Sequence, residues 1–94
     1  MEVKLFESVG TFAENKDIAR GMRIYSIIPC LERNEKVILN FDKIESVTQS
    51  FVHALISDLI RKFGIEVLDK IYFKKCNQKV KKIIEIVIEY MQKQ

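Results

Sequence analysis

One short segment constrains the fold of this chain more than any other. Lys36–Phe41 is an almost continuous apolar run between a charged connector, Leu31–Glu35, and a polar loop, Asp42–Gln49. A run of this kind is typical of a strand in a parallel sheet with both faces covered, because neither face is left to solvent. A chain built around it is expected to pack helices against the sheet.

Two further segments have strand character, and they lie on either side of this central one. Glu2–Phe6 alternates apolar and polar residues, and Lys70–Cys76 does so more weakly. A polar turn is predicted to follow the first strand at 8–10, and Ile65–Asp69 is predicted to be a short link or one helical turn before the last strand.

Three helical segments alternate with the strands. The first is expected to begin at a cap on Thr11 or Asn15 and to end or kink at Pro29, which lacks a backbone N–H. The second is predicted over Ser50–Phe63, and the third follows a cap at Asn77. The apolar stripe of the first helix is predicted to contain Ile18, Met22, Ile24, Tyr25, Ile27 and Ile28, and that of the third Val80, Ile83, Ile84, Val87, Ile88 and Met91.

This β-α-β-α-β-α order predicts a single α/β domain over residues 1–94, with a mainly parallel sheet and right-handed crossovers. Ligands and partners of such sheets tend to bind at the carboxyl ends of the strands. The loop after Phe41 lies at one of these ends, so residues 42–50 are the first place to expect a binding site.

Composition excludes several classes of protein. A hydrophobic content of 48% with three Gly and one Pro argues against a disordered chain, and a net charge of +3 is not that of a dedicated nucleic-acid binder. The sequence contains no apolar run long enough for a membrane span and no recognisable signal peptide. We therefore expect a cytoplasmic protein that does not contact membranes.

The sequence also contains no motif that indicates an enzyme or a cofactor. One His and two separated cysteines do not make a metal site, so we expect Cys30 and Cys76 to be buried and reduced, with no metal or cofactor bound. Ser50 and His53 can be neighbours on one helix face, but a serine nucleophile also needs a third group that orients its base.

The run Val37–Phe51, Val-Ile-Leu-Asn-Phe-Asp-Lys-Ile-Glu-Ser-Val-Thr-Gln-Ser-Phe, resembles the middle of the STAS-like domains of unknown function. Their pattern joins an apolar strand ending Leu-Asp-Phe, a short acidic loop, and a Thr/Ser-x-Ser-Phe step that opens a helix. The likeness continues at Gly21-Met-Arg23, Phe63-Gly64, Lys70-Ile-Tyr-Phe73, Asn77 and Val80-Lys-Lys-Ile-Ile84.

This resemblance implies a fold related to the STAS domains, which include bacterial anti-sigma-factor antagonists. Those proteins are not enzymes, and they dock onto a kinase-like partner around the start of the helix after the central strand. In several of them the partner phosphorylates a serine at this helix start, which breaks the complex, and Ser50 falls on that position. STAS-like domains of this sort also occur with GHKL-type ATPases and helix-turn-helix modules.

The chain departs from these patterns at three places. Asn40 stands for the strand-end Asp, and His53-Ala54 stand where the STAS-like pattern continues into an acidic pair. Thr48-Gln49-Ser50-Phe51 replaces the Asp-Ser-Ser-Gly of STAS proteins.

The leading hypothesis is therefore a non-enzymatic regulatory module that docks on an ATPase or kinase-like partner. Three roles stay open for Ser50: a helix cap, a phosphorylation site, or a partner contact without modification. The predicted partner-binding residues are Asp42, Lys43, Thr48, Gln49, Ser50 and His53.

A lysine-rich segment supports a second hypothesis. Lys70–Lys82 contains six Lys and no acid, so the rest of the chain carries a net negative charge. Such a surface is either a solvated face or a site for an acidic protein or nucleic acid. We define the basic patch as Lys74, Lys75, Lys79, Lys81 and Lys82. A third hypothesis is a homodimer through an exposed part of the last helix that includes Ile86 and Tyr90.

Overall fold

The computed structural model describes residues 1–93 and contains two small parallel sheets with helices packed around them. In chain order the elements are β1 (Glu2–Lys4), α1 (Phe6–Val9), β2 (Phe12–Ala13), α2 (Lys16–Met22), a π-helical turn (Arg23–Ile27), α3 (Ile28–Glu32), β3 (Val37–Asn40), β4 (Ser46–Val47), α4 (Gln49–Phe63), a 3₁₀ helix (Ile65–Lys70), β5 (Ile71–Lys74) and α5 (Gln78–Gln92).

The main sheet has the strand order β1-β3-β5, and both pairings are parallel. The central strand β3 pairs Leu39 with Val3 on one side and with Phe73 on the other. Val37 and Leu39 share one face of β3 and are fully buried, whereas Ile38 and Asn40 on the other face are only partly buried. The predicted complete cover of both faces is therefore found on one face only. The predicted α/β class and parallel sheet are confirmed.

A second sheet was not predicted. Strands β2 and β4 pair in parallel, with Phe12 opposite Ser46 and Ala13 opposite Val47. Strand β4 lies inside the segment 42–49 that the sequence analysis assigned to a loop. Strands of two residues are too short to show the alternation by which a strand is recognised.

The start of the chain differs from the prediction in two ways. The short helix α1 replaces the polar turn predicted at 8–10. Asn15, and not Thr11, caps the next helix, because its Oδ1 accepts hydrogen bonds from the backbone N–H groups of Asp17 (2.9 Å) and Ile18 (3.3 Å).

The predicted end of the first helix at Pro29 is wrong. The helix continues through the π-helical turn into α3, and Leu31 in its last turn is buried, although it was assigned to a connector. Pro29 lies in the first turn of α3, where its missing N–H is tolerated.

The π-helical turn also changes which side chains face the core. Met22 and Ile27 are both buried although they are five positions apart, one more than the spacing of four that keeps two side chains on one face of an α-helix. As a result Tyr25, predicted to be in the apolar stripe, is 82% exposed, and Ile24 is also exposed. Arg23 takes an inward position instead.

Helix α4 is the centre of the packing. Its first turn is exposed at Gln49 and Ser50, and it ends at Gly64, whose φ of +87° favours glycine. Helix α5 packs against it through Val80, Ile84, Val87 and Met91, as the periodicity predicted. The buried residues of α4 are Phe51, Val52, Leu55, Ile56, Ser57, Leu59 and Ile60.

The N-cap of α4 is Thr48, so the capping role considered for Ser50 is wrong. The Thr48 Oγ1 accepts a hydrogen bond from the Phe51 N–H at 3.1 Å, while Ser50 lies inside the first turn with its side chain exposed. The helix therefore begins one residue earlier than predicted, and Ser50 has no capping function.

This assignment predicts unequal effects of two alanine substitutions. Thr48→Ala is expected to lower the free energy of unfolding by about 1 kcal/mol, because a backbone N–H loses its acceptor. Ser50→Ala is expected to change it by less than about 0.5 kcal/mol, as at other exposed positions. Urea denaturation of the two variants measures both values, and an equal or larger loss for Ser50→Ala would contradict the assignment.

Candidate functional site

The loop after β3 is fixed at its start by Asn40. The Asn40 Oδ1 accepts a hydrogen bond from the Asp42 N–H at 2.8 Å, and its Nδ2 donates to Glu2 Oε2 at 3.0 Å. An aspartate in this place can accept the first bond but cannot donate the second, and its charge would repel Glu2. The amide at this position thus has a structural explanation.

Asn77 fixes the same loop from the other side. Its Oδ1 accepts from the Val80 N–H at 2.8 Å and so caps α5, as predicted. Its Nδ2 donates to the carbonyl oxygens of Ile44 (3.3 Å) and Glu45 (2.9 Å). One side chain therefore joins the start of α5 to the loop that carries the predicted residues Asp42 and Lys43.

Asp42 and Lys43 form an exposed turn between these two anchors. Lys43 has a φ of +70°, and its Nζ lies 5.5 Å from the centre of the Phe6 ring, within cation–π range. The turn is polar, solvent-accessible and held in place at both ends, which is a suitable arrangement for a docking surface.

The structure does not pair Ser50 with His53. The His53 Nδ1 lies 3.3 Å from the Ser57 Oγ, and the His53 ring packs near Tyr90 with 6.5 Å between centroids. Within residues 1–93, no hydrogen bond links the side chains of Ser50 and His53. The base that a serine nucleophile needs is therefore bonded to a different serine, and the geometry is not that of a catalytic pair.

Three of the predicted site residues share one cleft. Gln49, Ser50 and His53 line an open groove of about 600 Å³ between α2, α4 and α5, whereas Asp42, Lys43 and Thr48 do not. Thr48 lies beneath this surface as the helix cap. The predicted set thus divides into an exposed turn, a cap and one end of a cleft.

The sequence analysis missed the cationic residues of this cleft. They come from the first helix and from the second half of α4, and the spacing between these segments gives no signal that they meet. The basic residues of the lining are Lys16, Arg20, Arg23 and Arg61.

Arg23 connects the π-helical turn to α4. It is only 8% exposed, its Nη1 donates to the Ala54 carbonyl oxygen, and its Nη2 lies 3.1 Å from Asp58 Oδ2. Asp58 also pairs with Arg61 through its other oxygen at 3.0 Å. A buried guanidinium needs such partners, because an unpaired charge in the interior is costly.

The basic patch lies where β5 ends and α5 begins. All five of its lysines are exposed, and within the described part of the chain none of them forms a salt bridge. Lys75, with a φ of +58°, makes the turn between the strand and the helix.

Cys76 lies beside this patch and is only half-buried, so the expectation of burial holds for Cys30 alone. Burial raises the pKa of the Cys76 thiol, although nearby Lys81 acts in the opposite direction. The thiol is therefore protonated at neutral pH and is a weak nucleophile. Both cysteines are free, as expected.

The described residues offer no support for metal binding or for a membrane crossing. No three His, Cys, Asp or Glu side chains between residues 1 and 93 are placed so that they can hold a metal ion. Of the helices the structure describes, none combines the length and apolar character that a membrane crossing requires.

The role of Asn40 generates a stability prediction. Asn40→Asp is expected to lower the free energy of unfolding by about 1–2 kcal/mol at pH 7, since a hydrogen bond to a charged group is replaced by repulsion between carboxylates. Urea denaturation at pH 7 tests this, with Asn40→Ala as the uncharged control; equal stability of Asn40→Asp and the unmodified chain would refute the assigned role.

Comparison with known proteins identifies the family of the chain. A family model described as a STAS-like domain of unknown function (DUF4325) matches residues 23–81, from the buried arginine of the π-helical turn to the first turn of α5. No curated protein and no solved structure matches the chain. The matched range contains β3, the loop, α4 and β5, and it covers more than half of the sequence. The chain therefore belongs to the family of STAS-like domains of unknown function.

Proposed function

We propose that this chain is a non-enzymatic, cytoplasmic regulatory module that docks on an ATPase or kinase-like protein. Membership of the STAS-like family supports a regulatory protein-interaction module, and STAS-like domains are generally non-enzymatic. The class of partner follows from the resemblance to the STAS domains. The docking surface consists of the turn Asp42–Lys43 and the exposed start of α4, Gln49, Ser50 and His53.

The observation that carries this proposal is the contrast between the start of α4 and the rest of the helix. Gln49 and Ser50 are exposed, whereas Phe51 and Val52 directly after them are fully buried. Since Thr48 supplies the cap, the Ser50 hydroxyl is not needed for folding. A partner can contact it, or a kinase can modify it, without disturbing the helix.

Phosphorylation of Ser50 provides a switch in this proposal. A phosphate there adds a charge of about −1.5 to −2 next to the first-turn N–H groups of a long helix, which stabilise an anion. Lys16 and Arg20 line the same cleft and offer cationic partners for it. The modified surface has the opposite charge character to the unmodified one, so a complementary partner is released.

Affinity capture with the full chain as bait tests the docking surface. For a partner that binds both the unmodified chain and Ser50→Ala, the captured amount is expected to fall about tenfold or more with Ser50→Glu. The added charge opposes the partner's complementary surface. The control is Gln78→Glu, which adds a glutamate to the first turn of α5 instead. Quantitative mass spectrometry compares the four captures.

The docking surface is wrong if Ser50→Glu, Gln49→Lys and Lys43→Glu each retain every partner that the unmodified chain retains. Incubating the chain with its captured partner and ATP, followed by peptide mass spectrometry, tests the switch separately. Phosphate on Ser50 supports the switch, and phosphate on no residue or on another residue rejects it while leaving the docking proposal intact.

The exposed basic patch favours a second candidate function, binding of nucleic acid or another acidic ligand. Its lysines have no acidic partners among the described residues, and three of them, Lys79, Lys81 and Lys82, crowd the first turns of α5, where positive charge is unfavourable. A polyanion would relieve this repulsion. The proposal is a sequence-independent phosphate contact, because the patch contains no arginine for reading base edges.

A salt series tests this second function. If five lysines contact phosphates, the logarithm of the binding constant for duplex DNA is expected to fall with the logarithm of salt concentration with a slope of about −4.5. Lys79→Glu/Lys82→Glu is expected to abolish binding at low salt, and the control Lys4→Glu/Lys62→Glu to retain most of it. Absence of binding to DNA and RNA at low salt, or a flat salt response, rejects this function.

A further inference from the structure

The cleft extends well beyond the start of α4, and its two walls differ in chemistry. We infer that it binds an acidic amphipathic helix of a partner protein, with carboxylates against one wall and apolar side chains against the other. This inference rests on the proposed docking function and names the kind of segment that is recognised.

The basic wall is formed by α2 and α4. Lys16, Arg20 and Arg61 are exposed, and the only carboxylate in the described lining is Asp58. Asp58 is engaged by Arg23 and Arg61, and Asp17, outside the lining, pairs with Arg20 at 3.2 Å. Four cations thus face two carboxylates, which leaves the wall with excess positive charge. Glutamate or aspartate side chains of a partner complement this wall.

The apolar wall is formed by α5. Ile86 is 38% exposed and Tyr90 is 56% exposed, and their spacing of four residues places them on the same face of the helix. Val87 lies buried between them and α4. Two large apolar side chains one turn apart are the kind of anchor that an amphipathic helix contacts with its i and i+4 positions.

The dimensions of the basic wall favour an elongated ligand over a small anion. Thr48 donates its backbone N–H to the Ala13 carbonyl at 3.0 Å, and Arg23 contacts Ala54 and Asp58, so α2 runs alongside the first half of α4. Arg61 lies eleven residues after Ser50 on α4, about 16 Å along the helix axis. A single phosphate or carboxylate cannot contact both ends, whereas three turns of a helix can.

The same geometry links the inferred ligand to the proposed switch. Ser50 lines the cleft together with Lys16 and Arg20. A phosphate on Ser50 would neutralise part of the basic wall and repel the carboxylates of an acidic helix. Phosphorylation at the end of the cleft would therefore release a ligand that occupies its whole length.

Selection from an unbiased peptide library tests the inference. Random 16-residue peptides displayed on phage are selected on the immobilised full chain, and the most enriched one is synthesised with a fluorescent label. We expect enriched sequences with Asp or Glu on one helical face and apolar residues at i, i+3 or i+4 on the other. Fluorescence anisotropy then gives its Kd, and circular dichroism reports helix formation on binding.

Matched variants place the bound peptide. We expect Lys16→Glu/Arg20→Glu and Ile86→Ser/Tyr90→Ser each to raise the Kd about tenfold or more, since each removes the interaction of one wall. Lys79→Glu/Lys82→Glu makes the same change of charge in the basic patch and is expected to alter the Kd less than about twofold. Urea denaturation verifies that each variant is folded. If a variant is not, the alanine double substitution at the same two positions, Lys16→Ala/Arg20→Ala or Ile86→Ala/Tyr90→Ala, replaces it.

The selection overturns the inference if no peptide is enriched over the unselected library, or if the enriched peptides lack acidic residues. The binding measurements overturn it if the cleft variants leave the Kd unchanged. Displacement of the peptide by millimolar inorganic phosphate also overturns it, because it indicates a small-anion site. These outcomes are separable from failure of the docking proposal. Partner loss with Ser50→Glu but not with the cleft variants retains the docking surface and rejects the acidic helix. Peptide binding in the cleft, without partner loss in Ser50→Glu, Gln49→Lys or Lys43→Glu, retains the acidic helix and rejects the docking surface.

Discussion

Helix α4 is buried along most of its length, and the other elements are arranged to cover it. The first helix with its π-helical turn, the 3₁₀ helix and α5 all pack against it. Its buried side chains belong to the same hydrophobic core as Val37 and Leu39 of the sheet. A polar group in that interface needs a partner, and the Arg23 guanidinium finds two, the Ala54 carbonyl and Asp58. The π-helical turn makes this contact available, because it shifts the helix phase and turns Arg23 toward α4.

The burial of α4 also decides where a binding surface can form. Since the middle of α4 is covered, most of its polar side chains lie in its first turn or along the edge that faces the cleft, where Ser50, His53, Asp58 and Arg61 are found. Lys62, which pairs with Glu32, lies outside this edge. Asn40 and Asn77 hold the adjoining loop, and both the oxygen and the nitrogen of each side-chain amide form hydrogen bonds. The start of α4 is thus an exposed surface between a groove and a loop that is held by hydrogen bonds.

Sequence reasoning recovered the elements whose periodicity is long enough to measure. The strand around Leu39, the helix ending at Phe63 and the helix capped by Asn77 were all predicted. It failed for the two-residue strands β2 and β4, and for the helix through Pro29, where one extra residue in a π-helical turn displaced the expected stripe. Of the cleft residues, Gln49, Ser50 and His53 could be predicted because they follow the central strand, and Ile86 and Tyr90 were predicted as an exposed part of the last helix. The cations Lys16, Arg20, Arg23 and Arg61 were missed.

The fold class, the parallel direction of the main strands and the family could all be predicted from the sequence alone. They depend on local hydrophobic periodicity and on one contiguous run of residues, Val37–Phe51. Packing in three dimensions was needed to establish that Thr48 rather than Ser50 caps α4, that Asn40 bonds to Glu2, and that cations of two separate helices face Ile86 and Tyr90 across one cleft. Separation along the chain explains most of this difference. A hydrogen bond or a charged surface formed by residues tens of positions apart exists only once packing has brought those residues together.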